Sequence, residues 1–184
     1  MNTSSDVGIY RTPKHIRDLI VELVDPQPTD CICDPACGTA GFLISSAEYI
    51  RNKYQVQMTE SDWEHYDKEL LSGFDIVDIM TEISSMNLYL HSINNSTIVC
   101  QDSLSKANLN KENYDKIFVN PPFKGNIDNS IIADSIKEES NSKYPYVLFF
   151  FLCLRMLKKG GVCACIVPDG FLFGTKNGSK KAYN

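Results

Sequence analysis

The sequence predicts an α/β domain with a mostly parallel sheet and helices on both faces. Short apolar segments typical of strands alternate along the chain with segments whose apolar residues recur at helical spacing. A turn of small residues, PACGTAG, connects the first of these strands to a helix, and polar residues follow several strands. The 184 residues are enough for one domain, which we place at 1–184.

The first helix and strand are predicted from a proline and from apolar spacing. A helix should begin at Thr12, with Pro13 in the first helical position, where its missing N–H costs nothing. Asp25 and the prolines that follow it end this helix. Its predicted buried face consists of Ile16, Leu19, Ile20, Leu23 and Val24. A strand at 30–34 then leads into the small-residue turn.

The middle of the chain repeats this alternation. The helix that begins at Gly41 should bury one side, formed by Phe42, Leu43, Ala47 and Ile50. Further strands are predicted at 71–75, 97–101 and 116–119. The helix after the first of them is marked by Ile79, Ile83, Met86 and Leu90.

The last part of the chain contains a long polar stretch before the final elements. Residues 124–143 show no convincing period, and so long an irregular segment in a compact domain is usually functional or mobile. An apolar helix at 146–158, stopped by Gly160 and Gly161, and a strand at 162–167 complete the pattern.

Composition and charge limit the classes of protein. With 43% hydrophobic and 22% charged residues the chain has the composition of a soluble protein, and no apolar run approaches the ~20 residues of a membrane helix. We therefore expect a cytoplasmic protein without membrane contact. The net charge of −5 argues against a protein that holds nucleic acid unaided. Only Lys176, Lys180 and Lys181 form a basic group.

The seven cysteines form neither a disulfide framework nor a metal-binding pattern. No pair is spaced CxxC, and the three histidines stand far apart in the sequence. Alternation along a strand would place Cys31 and Cys33 on one face, as small buried apolar residues. We therefore expect free thiols and no metal site.

Four predicted strands end in residues that suit ligand binding. In open α/β sheets ligands bind beyond the carboxyl ends of the strands. Those ends carry the turn DPACGTAG, then Asp75, Asp102 and the segment NPPF. Taken singly, the turn and Asp75 fit a merely structural turn as well as a nucleotide site.

The NPPF segment is the most specific of these signals. Pro121 and Pro122 remove two backbone donors and hold the chain extended. Asn120, directly before them, presents a carbonyl and an amide at the edge of the sheet. The alternative is an ordinary turn at the end of a strand.

With these features the chain resembles the adenine-N6 DNA methyltransferases, and among them the modification subunits of type I restriction-modification systems. The resemblance covers 8–174 and rests on seven stretches in order: GIYRTPKHI, ICDPACGTAGFLI, MNLYLHSI, QDSL, YDKIFVNPPF, LRMLKKGG and IVPDGFLFG. It implies the Rossmann-like fold of S-adenosylmethionine-dependent methyltransferases. It also implies methyl transfer from S-adenosylmethionine to the N6 amino group of adenine in DNA.

The resemblance implies roles for individual residues in binding S-adenosylmethionine. Thr12 would lie near its methionine end, Asp75 would bind the ribose hydroxyls, and Asp102 would accept from the adenine amino group. Carboxylates can only accept hydrogen bonds, which suits these two donors. The remaining residues of the implied cofactor site are Asp34, Pro35, Ala36, Cys37, Gly38, Thr39, Gly41, Ile76, Ser103 and Asn120.

The implied catalytic motif is Asn120, Pro121, Pro122 and Phe123. The lone pair of an adenine amino group is delocalised into the ring, which makes the nitrogen a poor nucleophile. If the side-chain carbonyl of Asn120 and the backbone carbonyl of Pro121 accept its two hydrogens, the nitrogen is drawn toward tetrahedral geometry. Phe123 can stack on a base that has left the duplex.

The resemblance further implies partners and a difference from the family. DNA, a specificity subunit and a restriction subunit are the expected partners. Family members carry a helical region before the GIYRTP segment and further strands after LFG. We therefore expect the C-terminal strands of the sheet to be missing from this chain.

Two alternatives stay open at this stage. Methylation of a glutamine amide in a protein, or of an amino group in RNA, poses the same lone-pair problem and uses similar motifs. A truncated module that binds cofactor or assembles with partners, without turnover, is the alternative from another class.

Overall fold

The computed structural model describes residues 11–173 except 126, 129 and 141, and of Phe173 only the backbone. The described helices are α1 Lys14–Val24, α2 Gly41–Tyr54, α3 Glu60–Lys68, α4 Asp78–Leu90, α5 Asp134–Glu139, α6 Pro145–Met156 and α7 Asp169–Phe173. The described strands are β1 Ile32–Asp34, β2 Leu71–Asp75, β3 Thr97–Cys100, β4 Tyr114–Val119 and β5 Leu157–Cys165. The start of the predicted family match, its end at Gly174 and the basic group at Lys176, Lys180 and Lys181 lie outside the described residues.

The five described strands form one sheet in the order β3-β2-β1-β4-β5. Every pair is parallel, and the central strand β1 places Cys33 opposite Ser72 of β2 and Ile117 of β4. Parallel strands bring their carboxyl ends to one edge of a sheet. The loops after β1, β2, β3 and β4 therefore lie side by side, and the predicted α/β architecture is confirmed.

Apolar side chains fill both sides of the sheet because neighbouring strand residues point in opposite directions. Ile32 and Phe118 pack with α2, whereas Cys33 and Ile117 pack with α6. Each face thus has its own helix layer and its own hydrophobic cluster, as predicted.

The buried face of α1 differs from the predicted one. The helix begins at Lys14, after Pro13, whose backbone is still extended. Leu19 and Leu23 are 53% and 77% exposed, whereas Val21 is fully buried. The predicted face is therefore wrong for Ile16, Leu19 and Leu23. The reason is that α1 rests mainly on one neighbour, α2, and that polar side chains occupy part of this contact.

Helix α4 also turns its most apolar residues outward. Its buried residues are Thr81, Ser84 and Leu88. The residues that mark the helix in the sequence, Ile79, Ile83, Met86 and Leu90, are exposed. The small side chain of Ser84 lets the helix approach the turn after β1, where its hydroxyl donates to the carbonyl of Gly38.

The boundary between α6 and β5 is the largest difference from the predicted elements. The helix ends at Met156 and β5 begins at once, so Gly160 and Gly161 lie inside the strand rather than stopping the helix. Tyr114 of β4 faces Leu157, but Lys116 already faces Val162, so β5 bulges between these pairs. Gly160 supports the bulge with a φ of +83°. Helices α3, α5 and α7 were not predicted; α5 lies within the polar stretch at 124–143.

The described residues include none of the groups of three or more metal-ligating side chains that could hold an ion. All seven cysteines lie in the described part and are free, with Cys33 buried and Cys100 exposed. No helix among residues 11–173 is both long and apolar enough to cross a membrane.

Gly161, in the bulge of β5, should be sensitive to substitution by a larger residue. A Cβ atom on Gly161 would lie 2.9 Å from Cδ2 of Leu157 and 3.0 Å from the carbonyl oxygen of Asp115. Because backbone atoms cannot move aside as a side chain does, Gly161→Ala should lower the free energy of unfolding by about 1 to 3 kcal/mol. Gly170→Ala is the control, since a Cβ atom there meets nothing within 4 Å. Urea denaturation of both variants tests this, and equal stability of the two would contradict it.

Candidate active site

A cavity of about 770 Å³ opens at the carboxyl edge of the sheet, where the predicted ligand-binding loops meet. The predicted site residues that line it are Pro35, Ala36, Gly38, Asp75, Ile76, Asp102, Ser103, Asn120, Pro121, Pro122 and Phe123. The structure therefore brings residues from the ends of four strands, β1 to β4, to one cavity. Thr12, Asp34, Cys37, Thr39 and Gly41 border this region without lining the described cavity.

The turn after β1 is held in shape by hydrogen bonds to its backbone. The N–H of Ala36 donates to Asp34 (3.0 Å), and the N–H of Cys37 donates to the carbonyl of Phe74 (2.9 Å). Gly38 has a φ of +53°. A glycine suits this conformation, and its missing side chain leaves the backbone open to a ligand.

Part of the turn faces the opposite side, toward α1 and α4. The thiol of Cys37 lies 3.7 Å from the hydroxyl of Ser84. The carbonyl of Thr39 accepts from the side-chain amide of Asn87 at 2.8 Å. Gly41 is the first residue of α2 and packs beneath the guanidinium of Arg17. These residues support the turn from behind, and a role in cofactor binding stays a prediction for them.

The two carboxylates that follow β2 and β3 are both built into their loops. Asp75 accepts the N–H of Gly38 with one oxygen (3.0 Å) and the N–H of Val77 with the other (2.9 Å). Asp102 accepts the N–H of Leu104 (3.0 Å). A carboxylate has about four acceptor positions, so these bonds leave room for a ligand's donors.

Ile76 and Ser103, the neighbours of these carboxylates, differ in environment. Ile76 is 67% exposed and contributes an apolar wall. Ser103 is buried, and its hydroxyl donates to the carbonyl of Pro35 (2.6 Å), which ties the loop after β3 to the turn after β1.

The NPPF segment continues directly from β4. Pro121 is buried and Pro122 is exposed, so the motif passes from the core to the surface within two residues. The side-chain nitrogen of Asn120 donates to the hydroxyl of Thr12 at 3.0 Å. The ring of Phe123 meets that of Tyr146 edge to face, with centroids 6.4 Å apart. The ring of Tyr146 in turn packs on Phe171.

Several cavity residues were missed by sequence reasoning. Gln101, Val77, Met80 and Leu104 follow the predicted strand ends closely, and their proximity to Asp75 and Asp102 was the available signal. Lys124, Gly125, Ile127, Asp128 and Ile131 come from the polar stretch that was considered functional. Pro145 and Phe149 come from the start of α6, and no sequence feature marked them.

The electrostatics of the site centre on Asp34. Burial raises the pKa of its carboxyl to about 7, a value that includes the opposing effect of the N–H of Ala36 and the smaller raising effect of the charge of Asp75. The side chain is 2% exposed. A proton therefore binds this carboxyl far more tightly in the folded chain than in the unfolded one, whose ordinary pKa is about 3.9.

This raised pKa predicts a loss of stability with rising pH. The folded state holds the Asp34 proton up to about pH 7, so its stabilising contribution is complete below pH 4 and is lost between about pH 4 and 7. Relative to Asp34→Asn, the free energy of unfolding of the wild type should therefore fall from pH 5 to pH 8, by at most about 1.4 kcal/mol per pH unit. Urea denaturation at both pH values measures this, and parallel pH profiles for the two proteins would contradict it.

Comparison with known proteins places the chain among DNA methylases. The N-6 DNA methylase family model matches residues 1–182. The StySPI type I restriction enzyme methylase subunit of Salmonella potsdam is 30% identical over 179 residues, which are 93% of this chain and 33% of that protein. RM.BcgI of Heyndrickxia coagulans, a type II restriction enzyme and methyltransferase, is 30% identical over 185 residues, 98% of this chain and 26% of that protein.

The solved structures give the same answer for the fold. The EcoKI M protein, from a type I restriction enzyme of Escherichia coli K12, has a TM-score of 0.77 at 26% identity, over 94% of this chain and 36% of that one. The predicted Rossmann-like methyltransferase fold is thereby confirmed. The chain spans 26% to 33% of the length of the two curated relatives described above. A family match over nearly the whole sequence agrees with this fold, and the chain belongs to the N-6 DNA methylase family.

Proposed function

We propose that this chain is the catalytic core of a type I modification subunit, and that it transfers a methyl group from S-adenosylmethionine to the N6 amino group of adenine in DNA. The observation that carries the proposal is the position of Asn120 to Phe123. This motif lines the same cavity as Asp75 and Asp102. One cavity therefore offers acceptors for a nucleoside and, beside them, acceptors for an amino group.

The residues of the cavity fit S-adenosylmethionine. The open backbone at Gly38, where a Cβ atom would meet nothing within 4 Å, suits close approach of a ligand. Asp75 and Asp102 offer carboxylate oxygens for the ribose hydroxyls and the adenine amino group, and Ile76 and Met80 offer apolar surface. When bound, this cofactor supplies an electrophilic methyl group on sulfur.

The chain's own part in the chemistry is to change the geometry of the target nitrogen. The side-chain carbonyl of Asn120 and the backbone carbonyl of Pro121 would accept the two amino hydrogens. The nitrogen then turns its lone pair away from the ring system and becomes nucleophilic. Both acceptors are held rigidly, because Pro121 is buried and Asn120 is bonded to Thr12. Rigid acceptors lose little energy to reorganisation during the reaction.

Phe123 would hold the target base. Its ring lines the cavity, and the edge-to-face contact with Tyr146 holds the ring in its orientation. Base stacking on an aromatic ring contributes ~1–3 kcal/mol in nucleic-acid complexes. A base inside a duplex cannot reach this ring, so the target adenine must be flipped out.

The net charge of the chain indicates that partner subunits are needed to bind DNA. With a net charge of −5 it lacks the excess of cations that phosphate binding requires. We infer that a specificity subunit holds most of the DNA, that a restriction subunit joins the same complex, and that the complex acts in the cytoplasm.

The direct test is methyl transfer from labelled cofactor to unmodified DNA, with the chain alone and with a specificity subunit. We expect the chain to bind cofactor alone and to methylate adenine with the partner present. Methylation of protein glutamine or RNA in place of DNA would refute the proposed substrate. Failure to bind the cofactor would refute the whole proposal.

Cofactor binding should depend on Asp75. Asp75→Ala removes the acceptor proposed for the ribose hydroxyls, so S-adenosylmethionine affinity should fall by about 1.5 to 3 kcal/mol, as for hydrogen bonds to charged groups. Calorimetry measures this affinity, and thermal unfolding confirms that the variant is folded. Asp78→Ala is the charge-matched control, because Asp78 is exposed at the start of α4. Unchanged affinity in a folded Asp75→Ala variant would rule out this role.

Asn120 should separate chemistry from cofactor binding. Asn120→Ala removes an acceptor for the target amino group, so methylation should be abolished in the active complex while cofactor affinity stays within about twofold of the wild type. Asn113→Ala is a suitable control, since Asn113 is an exposed asparagine just before β4. An Asn120→Ala complex that still methylates DNA would disprove the mechanism.

A further inference from the structure

We propose that Thr12 is a positioning residue for catalysis: its hydroxyl holds the carboxamide of Asn120 so that the carbonyl oxygen, Oδ1, faces the target amino group. This inference rests on the proposed function. The resemblance to the family had implied that Thr12 lies near the methionine end of the cofactor. The structure joins Thr12 to the catalytic motif, across 108 positions of sequence.

The contact is a hydrogen bond between the segment before α1 and the loop after β4. The side-chain nitrogen of Asn120 donates to Oγ1 of Thr12 at 3.0 Å. Thr12 lies two residues before the start of α1, and Asn120 follows the last residue of β4. Asn120 lines the described cavity and Thr12 does not. Thr12 thus contacts Asn120 from outside the lining of the described cavity.

The orientation of this carboxamide decides whether it can act. The last torsion of an asparagine side chain is broad and nearly two-fold, so an unrestrained amide exchanges its oxygen and nitrogen positions easily. A carboxamide turned by 180° would present N–H groups to an amino group that itself donates. Because the nitrogen of Asn120 is bonded to Thr12, the oxygen is the atom of the carboxamide that points the other way.

Thr12 is itself held by Arg17. The guanidinium of Arg17 donates to the backbone carbonyl of Thr12 at 2.6 Å and to the hydroxyl of Ser45 at 3.4 Å. Gly41 leaves the space for this side chain, since a Cβ atom there would lie 3.0 Å from Nε of Arg17. Arg17 therefore bridges α1 and α2 and fixes the residue that orients Asn120.

This arrangement predicts a change in turnover without a change in cofactor binding. Thr12→Val keeps the shape of the side chain and removes the hydroxyl, so the carboxamide of Asn120 loses the hydrogen bond that its nitrogen donates to Thr12. The single-turnover rate of methylation should fall roughly tenfold, the effect of one neutral hydrogen bond. Cofactor affinity should stay within about twofold. Thr12→Ser, which restores the hydroxyl, should restore the rate.

The rate experiment uses the chain in complex with its specificity subunit, and calorimetry supplies the cofactor affinity of each variant. Thr29→Val is the matched control, because Thr29 is an exposed threonine remote from the cavity lining. A Thr12→Val complex that turns over at the wild-type rate would overturn the inference. So would a loss of cofactor affinity that accounts for the whole loss of rate, since Thr12 would then act on the cofactor.

A second readout does not depend on activity. In the free chain, the side-chain amide protons of Asn120 give NMR signals that are identified by their absence in Asn120→Ala. Their exchange with solvent should be slow in the wild type and in Thr12→Ser, and faster in Thr12→Val. Equal exchange in all three would overturn the role of Thr12 even if methylation is observed. Slow exchange lost only in Thr12→Val, together with no methylation by the wild-type complex, would support the role of Thr12 and refute the proposed function.

Discussion

The carboxylate of Asp75 joins two of the loops that form the site. One oxygen accepts the N–H of Gly38 in the turn after β1, and the other accepts the N–H of Val77 after β2. Gly38 lies in the turn beyond the end of β1, outside the sheet ladder, and its N–H finds its partner in the carboxylate of Asp75. The proposed ribose-binding residue thus also shapes the turn that approaches the cofactor. Binding of the ribose and the shape of the turn after β1 would therefore both depend on the side chain of Asp75.

The centre of the sheet could be predicted because β1, β2 and β4 are largely buried, so that their short apolar runs stand out between polar turns. The buried faces of the outer helices could not be predicted in the same way. Leu19 on α1 and Met86 on α4 fit the helical period, but a period shows only that an apolar face exists and not what covers it. Gly160 and Gly161 are typical of the end of a helix, and only the pairing of β5 with β4 shows that they lie in a bulge.

The sequence predicts which loops form the site, but it predicts less well where the individual side chains of those loops point. Asp75 ends β2, Asp102 and Asn120 lie just beyond β3 and β4, and the parallel sheet brings these positions together. Within the turn after β1 the direction of each side chain depends on left-handed backbone at Gly38 and Ala40, which the letters PACGTAG do not specify. The partnership of Thr12 with Asn120 depends on how α1 packs on α2. No local pattern encodes that contact.

We propose that one cavity holds a nucleoside cofactor and presents a target nitrogen to it. A crystal structure of the chain with S-adenosylhomocysteine would show whether it does. We expect the ribose hydroxyls within hydrogen-bonding distance of Asp75, the adenine amino group within that distance of Asp102, and the sulfur facing Asn120. A ligand bound outside this cavity, or bound in it with its ribose remote from Asp75 and its sulfur remote from Asn120, would rule out the proposed site.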